Sequence, residues 1–499
     1  MFKRLLIANR GEIAVRVIRA CRDMGISPIA VYSAVDANAL HVRMADAAYP
    51  IGPAPATESY LRIDRILDAA RQAGAEAIHP GYGFLAENAA FADACAAAGF
   101  VFVGPPPQAM RDLGLKTEAR KLMQAAGVPV VPGTLEPLDD IAALRRAADD
   151  VGFPVALKAV AGGGGKGLRM VHDADQLEAA FRQATSEAGA AFGDASVYLE
   201  RAIDRPRHVE VQILADTHGH CVWLGERDCS IQRRHQKVLE ESPSPAVSPE
   251  LRQQMGEVAV RAAQAAGYTN AGTVEFLLAP DGKFYFLEVN ARLQVEHPVT
   301  EEVTGIDLVR EQIRVACGEP LGYDQSAIQR HGYAVECRIN AEDSAAGWVP
   351  STGRLVGYRP PDGPGVRVDS GVEENAEISV YYDPMIAKLI VHAADRQQGL
   401  DRMARALREF LILGVRTSIP MHQWLVAHPV VRSGEVDTNW LEREWQPPAS
   451  PDDGVLHAAI TASLLADSRR AASELQVAPD GASNGSSAWR LAGRRAGLR

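Results

Sequence analysis

The sequence predicts a mixed fold, α/β in its first part and α+β in the rest, and two patterns carry this prediction. Up to about residue 113, short apolar strands alternate with helix-length segments, which is the order of a parallel sheet with covered faces. From about residue 205 onward, runs of alternating apolar and polar residues indicate antiparallel strands. A chain of 499 residues exceeds one ordinary hydrophobic core, so several domains are expected.

Residues 1–113 are predicted to form a Rossmann-like, doubly wound domain. Its strands are expected at 5–8, 29–32, 77–79 and 100–103, and a helix follows the turn at Gly11. No G-x-G-x-x-G follows the first strand, which excludes a dinucleotide site of the usual kind. The Pro/Gly-rich stretch His79-Pro-Gly-Tyr-Gly-Phe-Leu-Ala-Glu-Asn88 lies where open α/β sheets bind ligands, although a plain turn would fit its glycines equally well.

The next region, 114–204, has shorter units that predict a small α+β lid around a glycine loop. Strands are expected at 154–159, 168–171 and 197–199. Residues 205–446 contain period-2 runs at 209–214, 272–278 and 283–289, which predict a largely antiparallel catalytic domain. Residues 447–499 begin with a proline-rich linker and continue with a possible amphipathic helix at 455–475, so we expect them to lie outside the catalytic unit.

Charge and cysteine usage narrow the function. The formal net charge of -11 and a pI near 5.7 argue against a nucleic-acid or anionic-membrane surface and favour a small-molecule site. The six cysteines show no CxxC pair and no zinc spacing, so they are expected to be reduced thiols. The first residues lack a signal-peptide core or a membrane span, and a cytoplasmic protein is predicted.

The strongest local motif is Lys158 in a strand, followed by Gly162-Gly-Gly-Gly-Lys-Gly167. Glycine destabilises regular structure and is typical of places where backbone approaches a ligand. Successive backbone N–H groups, together with Lys166, could therefore cradle phosphates. The motif is no Walker A loop, because Gly167 follows the lysine, so metal ligands must come from elsewhere. The alternative is a flexible surface linker.

A metal site is predicted on two neighbouring strands. Glu275 and Glu288 flank a turn at Asp281-Gly282, so hairpin pairing would bring the two carboxylates close together. Like charges at that range repel unless a cation lies between them, and Asn290 on the same face could add an oxygen ligand. A solvated face of alternating acids is the alternative.

The following residues predict an anion site. Arg292 offers a planar donor fork for a carboxylate or bicarbonate, and Gln294 adds an amide on the same face. Glu296 continues that face as a candidate general base. A second cluster, residues 226–237, carries three arginines, His235 and Lys237, and this basic excess fits an anion pocket, although such runs are more often a solvated surface.

Six segments together resemble the biotin carboxylase family in order and spacing, over residues 1 to about 445. They are Ile7-Ala-Asn-Arg-Gly-Glu-Ile-Ala14, the stretches 79–88, 162–167, 226–237 and 288–300, and Val335-Glu-Cys-Arg-Ile-Asn-Ala-Glu-Asp343. The resemblance implies an ATP-grasp enzyme that uses ATP and bicarbonate to carboxylate biotin. It departs from the family at Arg201-Ala202, where many relatives carry Lys-Tyr, which leaves the adenine-side contacts there open.

The resemblance also implies a role for individual residues. The implied ATP contacts are Lys116, Lys158, Gly163, Gly164, Gly165, Lys166 and Gly167, with Glu200 and Ile203 at adenine and His208, Gln232 and His235 near the ribose and phosphates. The implied ligands of Mg²⁺ or Mn²⁺ are Glu275, Glu288 and Asn290. The implied bicarbonate and biotin contacts are Lys237, Arg292, Gln294, Val295, Arg338 and Tyr82. Glu296 would deprotonate bicarbonate, and Arg338 would stabilise the enolate-like oxygen of biotin.

Partners follow from the same resemblance. The chain contains no Met-Lys-Met biotinylation site, so biotin on a separate carrier domain and a carboxyltransferase are the implied partners, and a homodimer is expected. The end of the chain faintly resembles α subunits of acyl-CoA carboxylases of the methylcrotonyl-, geranyl- or propionyl-CoA type, and the alternative is a free-standing component of acetyl-CoA carboxylase. Rival hypotheses are another ATP-grasp ligase, such as a carbamoyl-phosphate enzyme, and a nucleotide-binding module without catalysis.

Overall fold

The structure is a computed structural model that describes residues 1–138, 140–160, 168–447 and, further on, 463, 464 and 467. The chain divides into two compact units, Met1–Gln446 and Pro447–Arg499. The predicted glycine loop from Gly163 to Gly167, with Lys166, lies outside the described residues. So does the predicted helix at 455–475, apart from Ser463, Leu464 and Asp467, which are helical.

The chain begins with a five-stranded parallel sheet flanked by helices. Its strands are β1 (Arg4–Ile7), β2 (Ser27–Ser33), β3 (Ala47–Gly52), β4 (Ala77–His79) and β5 (Val101–Phe102). Its helices are α1 (Gly11–Asp23), α2 (Leu40–Met44), α3 (Ile63–Ala73), α4 (Ala89–Ala97) and α5 (Pro107–Gly114). The strand order β3-β2-β1-β4-β5 confirms the doubly wound prediction.

Strand β3 is the strand of this parallel sheet that the sequence pattern missed. It is an edge strand, and of its residues only Ile51 is buried. Pro50 interrupts the apolar pattern, and proline is tolerated at such an edge because no neighbour needs its missing N–H group. The edge position therefore explains both the weak pattern and the missed prediction.

The second region is a small three-stranded antiparallel sheet with three helices. In chain order it comprises α6 (Lys116–Ala125), α7 (Ile141–Val151), β6 (Val155–Ala159), β7 (Arg169–Val171), α8 (Leu177–Phe192) and β8 (Val197–Arg201). The strand order is β7-β6-β8. A separate small core of Leu144, Val155, Leu157, Leu177 and Leu199 holds this region together, as expected for an α+β lid.

The third region is the largest, and it contains fourteen strands and seven helices among the described residues. The strands are β9 (Arg207–Ala215), β10 (Cys221–Arg233), β11 (Gln236–Ser242), β12 (Asn270–Leu278), β13 (Phe284–Asn290), β14 (Tyr333–Asn340), β15 (Glu342–Asp343), β16 (Val349–Pro350), β17 (Gly353–Arg354), β18 (Gly357–Arg359), β19 (Val366–Ser370), β20 (Glu377–Ile378), β21 (Met385–Ala393) and β22 (Leu411–Leu413). The helices are α9 (Pro249–Ala265), α10 (His297–Thr304), α11 (Leu308–Ala316), α12 (Arg396–Glu409), α13 (Ile419–Ala427), α14 (Pro429–Ser433) and α15 (Trp440–Glu444).

Eight of these strands form one antiparallel sheet, in the order β13-β12-β9-β10-β11-β14-β21-β19, which confirms the predicted antiparallel sheet. Strand β9 shows why the sheet has two different faces. Val209, Val211 and Ile213 pack into an apolar core with α9, whereas the alternate residues His208, Glu210 and Gln212 are polar and equally buried. The second face is therefore a polar floor.

All six cysteines lie within the described residues and are free thiols. Among the residues that the structure describes, no helix combines the length and the apolar character that a membrane crossing requires.

His79 at the end of β4 gives a test of this fold by pH. Its Nδ1 accepts a 3.0 Å hydrogen bond from the Gly81 N–H group, and burial, with the charge of Arg16, lowers the pKa of His79 to about 4. The unfolded state takes up the proton at about pH 6.5, so folding loses stability as pH falls from about 6.5 to about 4, by about 3 kcal/mol. His79→Asn keeps an acceptor and should remove the share of one histidine from the pH dependence of stability measured by urea unfolding.

The same replacement at the exposed His331 serves as the control. The free energy of unfolding of this variant should depend on pH as it does in the wild type. Equal slopes for His79→Asn and the wild type between pH 4 and 6.5 would contradict the assignment.

Candidate active site

A cavity of about 1100 Å³ lies in the Met1–Gln446 unit, and it gathers every predicted site residue that the structure describes. These residues are Tyr82, Lys116, Lys158, Glu200, Ile203, His208, Gln232, His235, Lys237, Glu275, Glu288, Asn290, Arg292, Gln294, Val295, Glu296 and Arg338. Residues of all three regions line the cavity, and Arg201 and Ala202, where the family pattern differs, are among them.

Lys237 on β11 is the centre of the polar floor. Its ammonium contacts Glu210, lies 2.8 Å from Glu275 Oε1 and lies 2.6 Å from Glu296 Oε1. Burial alone would lower the pKa of Lys237, but the charges of these three carboxylates outweigh it and hold that pKa well above its usual value. Lys237 is therefore a permanent cation.

Glu210 is a site residue that sequence reasoning missed. It lies on β9, directly across from Glu275 on β12 and from Arg227 on β10. Its pKa is held far below the usual range, because Lys237 and Arg227 overcome the effect of burial. A signal was available in the sequence, since an acid between His208 and Gln212 in an apolar run of period 2 marks a polar buried face.

Arg227 fits neither of the two interpretations of residues 226–237, an anion pocket or a solvated surface. Its side chain is fully buried, and its N–H groups donate to Glu210 Oε1 (2.6 Å), Gln212 Oε1 (2.7 Å), Thr300 Oγ1 (3.0 Å), Thr273 Oγ1 (3.1 Å) and Gln294 Oε1 (2.7 Å). A guanidinium has five N–H donors, so none is left for a ligand. Arg233 lies over the Trp348 ring at 4.3 Å. Of this cluster, Gln232, His235, Gln236 and Lys237 line the cavity.

The predicted metal ligands lie on one hairpin. Glu275 on β12 pairs directly with Glu288 on β13, and Thr273 pairs with Asn290. Burial and the neighbouring Glu275 raise the pKa of Glu288. Its carboxylate lies 3.8 Å from Lys116 Nζ, and the side chain remains 38% exposed to the cavity. Two carboxylates and an amide oxygen are suitable ligands for a divalent cation. Such a cation would also remove the repulsion between the two acids that raises the pKa of Glu288.

His208 lies beside this hairpin, with Nε2 at 3.1 Å from Glu275 Oε2. Burial would lower its pKa, but the carboxylates of Glu275 and Glu210 together outweigh this and raise the pKa of His208 to about 9. The ligand atoms of His208, Glu210 and Glu275 lie within 4.8 Å of one another. The Lys237 ammonium contacts both of these acids and balances their negative charge.

Glu296 lies between two cations. Its Oε1 accepts from Lys237, and its Oε2 lies 2.8 Å from Arg338 Nη2. Burial alone would raise the pKa of Glu296, but Lys237 and Arg338 lower it, so the carboxylate is ionised. Arg338 is held in turn by Glu240 Oε1 at 2.6 Å, a buried acid whose pKa is raised to about 7, first by burial.

The predicted anion contacts already form hydrogen bonds within the protein. Arg292 donates to Glu87 Oε2 (3.1 Å) and to Asn290 Oδ1 (3.0 Å). The Gln294 amide accepts from Arg227 and donates to Glu275 Oε1 at 2.9 Å, so it is already engaged at both ends. The Val295 carbonyl accepts from Lys388 Nζ at 2.7 Å. The structure thus orients these groups before any ligand arrives.

The lid side of the cavity has its own buried charge cluster. The Glu200 carboxylate on β8 contacts both Lys158 on β6 and Arg120 on α6. These two cations lower the pKa of Glu200 against the effect of burial. The carboxylate is therefore engaged with protein groups, and Arg120 is a second residue that the sequence analysis did not name.

The cavity can bind a polyanion and a divalent cation at the same time. Side-chain cations line it at Lys116, Lys158, His208, Lys237, Arg292 and Arg338, and the acid pair Glu275 and Glu288 lines it as well. Such a set suits phosphoryl transfer, in which catalysis consists of positioning and charge neutralisation. The fold and the site therefore define a nucleotide-dependent ligase.

Comparisons with known proteins agree with this class. Residues 1–110 match the family model "Biotin carboxylase, N-terminal domain", residues 116–323 match "Carbamoyl-phosphate synthase L chain, ATP binding domain", and residues 336–443 match "Biotin carboxylase C-terminal domain". The chain is 54% identical over 442 residues to a pyruvate carboxylase subunit of Methanothermobacter thermautotrophicus, covering 89% of this chain and 90% of that protein.

Other relatives are similar over nearly the same span. The biotin carboxylase of a Nostoc species is 54% identical, with 88% of this chain and 99% of that protein covered. The alpha subunit of the mitochondrial methylcrotonoyl-CoA carboxylase of Dictyostelium discoideum is 48% identical over 93% of this chain and 67% of that protein.

Two solved structures have the same fold. The biotin carboxylase domain dimer of Hydrogenobacter thermophilus 2-oxoglutarate carboxylase, in complex with MgADP, ADP and bicarbonate, has a TM-score of 0.85 at 47% identity and covers 89% of this chain and 98% of its own. The biotin carboxylase–βγ-ATP complex from Campylobacter jejuni has a TM-score of 0.87 at 46% identity, and the match covers 89% of this chain and 99% of that chain. The chain therefore belongs to the biotin carboxylase family, and the predicted family, fold class and enzyme class are confirmed.

Arg227 gives a test of the polar floor. Arg227→Met should lower the free energy of unfolding by about 3–5 kcal/mol, because it removes one of the two cations paired with Glu210 and the donor of four other buried acceptors. Urea unfolding monitored by fluorescence measures this change. Arg234→Met at the exposed hairpin turn is the matched control and should stay within about 0.5 kcal/mol of the wild type. Equal losses in both variants would contradict the role of Arg227.

Proposed function

We propose that this protein carboxylates biotin at the expense of ATP and bicarbonate, through carboxyphosphate, with biotin presented on a carrier domain. The observation that carries the proposal is Glu296, an ionised carboxylate between Lys237 and Arg338, in the cavity that also holds the acid pair Glu275 and Glu288. A base, an anion site and a cation site are thus within reach of one another.

The first step is activation of bicarbonate. Lys237, Arg292, Gln294 and the Val295 backbone would hold the anion, and Glu296 would take its proton. The low pKa of Glu296 keeps it ionised, and the charge of bound bicarbonate beside it would raise that pKa toward neutrality, as a general base requires. The bicarbonate oxygen then attacks the γ-phosphorus, the bond to ADP breaks, and carboxyphosphate forms.

Nucleotide and metal would bind beside this anion site. Lys116, Lys158 and the glycine loop with Lys166 would bind the phosphates of ATP, Glu200 and Ile203 would meet adenine, and His208, Gln232 and His235 would lie near ribose and phosphates. Glu275, Glu288 and Asn290 would hold Mg²⁺ or Mn²⁺, which neutralises phosphate charge when bound. The imidazolium of His208, whose pKa is raised to about 9, adds a positive charge there.

The second step is transfer to biotin. Carboxyphosphate would break down to carbon dioxide and phosphate, and the phosphate would take the proton from the ureido nitrogen, which then bonds to the carbon of carbon dioxide. Arg338 would stabilise the enolate-like ureido oxygen, with Tyr82 near the biotin ring. Arg338 is already aimed by Glu240 and Glu296, so little reorganisation is needed when that charge develops.

We propose the domain division 1–113, 114–204, 205–446 and 447–499, with the last region outside the catalytic unit. The division of the chain after Gln446 into two compact units supports the last boundary. A carrier domain, a carboxyltransferase and a second copy of the chain are the proposed partners, and a cytoplasmic location remains a prediction. The dimeric 2-oxoglutarate carboxylase domain supports the homodimer.

The final acceptor is proposed to be an acyl-CoA. The similarity to the alpha subunit of a methylcrotonoyl-CoA carboxylase supports this class. The 54% identity to a pyruvate carboxylase subunit favours pyruvate as a second candidate. Assays with the copurified carboxyltransferase on methylcrotonyl-CoA, geranyl-CoA, propionyl-CoA, acetyl-CoA and pyruvate would separate the candidates. Bicarbonate-dependent ATP hydrolysis with free biotin would separate this function from another ATP-grasp ligase or a module without catalysis.

Glu296→Gln tests the base. The variant keeps the shape of the side chain but loses its basicity, so the kcat for biotin carboxylation should fall by about 100-fold or more. Nucleotide affinity, measured by calorimetry with ADP and Mg²⁺, should change little, which is the internal control. A variant with near-normal turnover would remove Glu296 from this role.

Glu288→Gln tests the metal site. Loss of one carboxylate weakens a hard oxygen site, so the Mg²⁺ concentration that gives half-maximal ATP hydrolysis should rise about 10-fold or more. Glu342→Gln, at a different acid that lines the cavity, is the matched comparison and should cause a smaller rise. An unchanged magnesium dependence in Glu288→Gln would mean that the metal binds elsewhere.

A further inference from the structure

Lys388 on β21 is buried behind the turn that leads to Glu296. Its Nζ donates a 2.7 Å hydrogen bond to the carbonyl oxygen of Val295, the residue immediately before Glu296. The side chain is 0% exposed, and Lys388 is not among the residues that line the cavity. Burying an ammonium is costly unless it is paired and hydrogen-bonded, so this position requires specific partners.

Acids from separate parts of the chain supply those partners. Glu12 Oε1 in α1 lies 3.3 Å from Lys388 Nζ, and Asp369 Oδ2 on β19 lies 3.9 Å away. Burial lowers the pKa of Lys388, but Glu12, Glu336 and Asp369 outweigh it and raise that pKa. The Lys388 ammonium is therefore charged at neutral pH.

Glu12 has fewer hydrogen-bond partners than Asp369. Neither of its carboxylate oxygens has a hydrogen-bond partner among the described residues, so the 3.3 Å ionic contact to Lys388 is its main compensation. Asp369, by contrast, is paired with Arg367 at 2.8 Å. Of these two acids, Glu12 is thus the one that depends most on Lys388.

The contact also joins two regions of the fold. Glu12 is in the first turn of α1, beside the parallel sheet, and Lys388 is in the eight-stranded sheet. The backbone at Gly371 lies close to the backbone of Glu12 here. A Cβ atom on residue 371 would clash with the backbone nitrogen of Glu12. In the eight-stranded sheet, Lys388 lies directly across from Arg338 on β14 and Asp369 on β19.

We propose that Lys388, held by Glu12, is a positioning residue for bicarbonate activation. By fixing the Val295 carbonyl it sets the backbone of the turn that carries Gln294 and Glu296, and so aims both side chains into the cavity. Lys388 contacts no reacting group itself. The inference rests on the proposed function of this site, and it adds a residue to that function, from the opposite side of the turn.

Lys388→Met tests the inference, because methionine has a similar length but no donor. The kcat/KM for bicarbonate in bicarbonate-dependent ATP hydrolysis should fall roughly 10- to 100-fold, since small misplacements of reacting groups are costly. The KM for ATP should stay within about twofold of the wild-type value, because Lys388 does not take part in binding the nucleotide. Arg396→Met is the matched control, since Arg396 is a partly buried cation paired with Glu241 at 2.7 Å, away from the cavity.

Glu12→Gln supplies a second variant, milder in shape and charge. It should lower the kcat/KM for bicarbonate in the same direction, and the double variant Glu12→Gln/Lys388→Met should be no worse than Lys388→Met alone, because the two residues act as a pair. If Lys388→Met does not fold, as judged by thermal unfolding, Glu12→Gln decides the question by itself.

The inference is overturned if either folded variant has the bicarbonate kinetics of the wild type. It is also overturned if Lys388→Met and Arg396→Met change the KM values for ATP and bicarbonate alike, which would indicate general destabilisation. A wild-type protein without bicarbonate-dependent ATP hydrolysis would instead reject the proposed function, and the positioning role with it, before any variant is compared.

Discussion

One buried ammonium, that of Lys237, holds the site together. Glu210, Glu275 and Glu296 come from β9, β12 and the turn before α10, and all three point at the same nitrogen. Three carboxylates that close would repel one another without a cation between them. Lys237 and Arg227 supply two positive charges inside this group, so each member stabilises the others and fixes their directions.

This constraint explains the composition of the eight-stranded sheet. A sheet that packs on both faces is usually apolar on both, but one face here is built from buried ionic and amide groups. Such a floor adds little to stability compared with an apolar one. Its benefit is preorganisation, because Arg338 and Glu296 are already oriented by ion pairs before substrates bind.

Several site residues could be predicted because their chemistry is local in sequence. The acids of the β12–β13 hairpin lie either side of a short turn, so their pairing follows from strand geometry. Arg227 and Lys388 could not be assigned in this way, because their partners are distant in sequence and each looks like an ordinary charged residue in a strand. For Glu210 the alternation around it indicates a buried polar face, but its partners Lys237 and Arg227 are set only by the fold. Arg227 even appeared as a candidate anion contact, since the sequence does not reveal that all its donors are used internally.

The sequence by itself determined four of the five strands of the parallel sheet, the change from a parallel to an antiparallel region, and many of the acids and cations that line the cavity. Periodicity and short motifs encode these features, because they depend on neighbours only a few residues away. Only the tertiary structure decided which charges reach the cavity and which are neutralised beneath it. That division depends on burial and on contacts between residues such as Glu12 and Lys388, nearly the whole catalytic unit apart in the chain, and no local pattern carries this information.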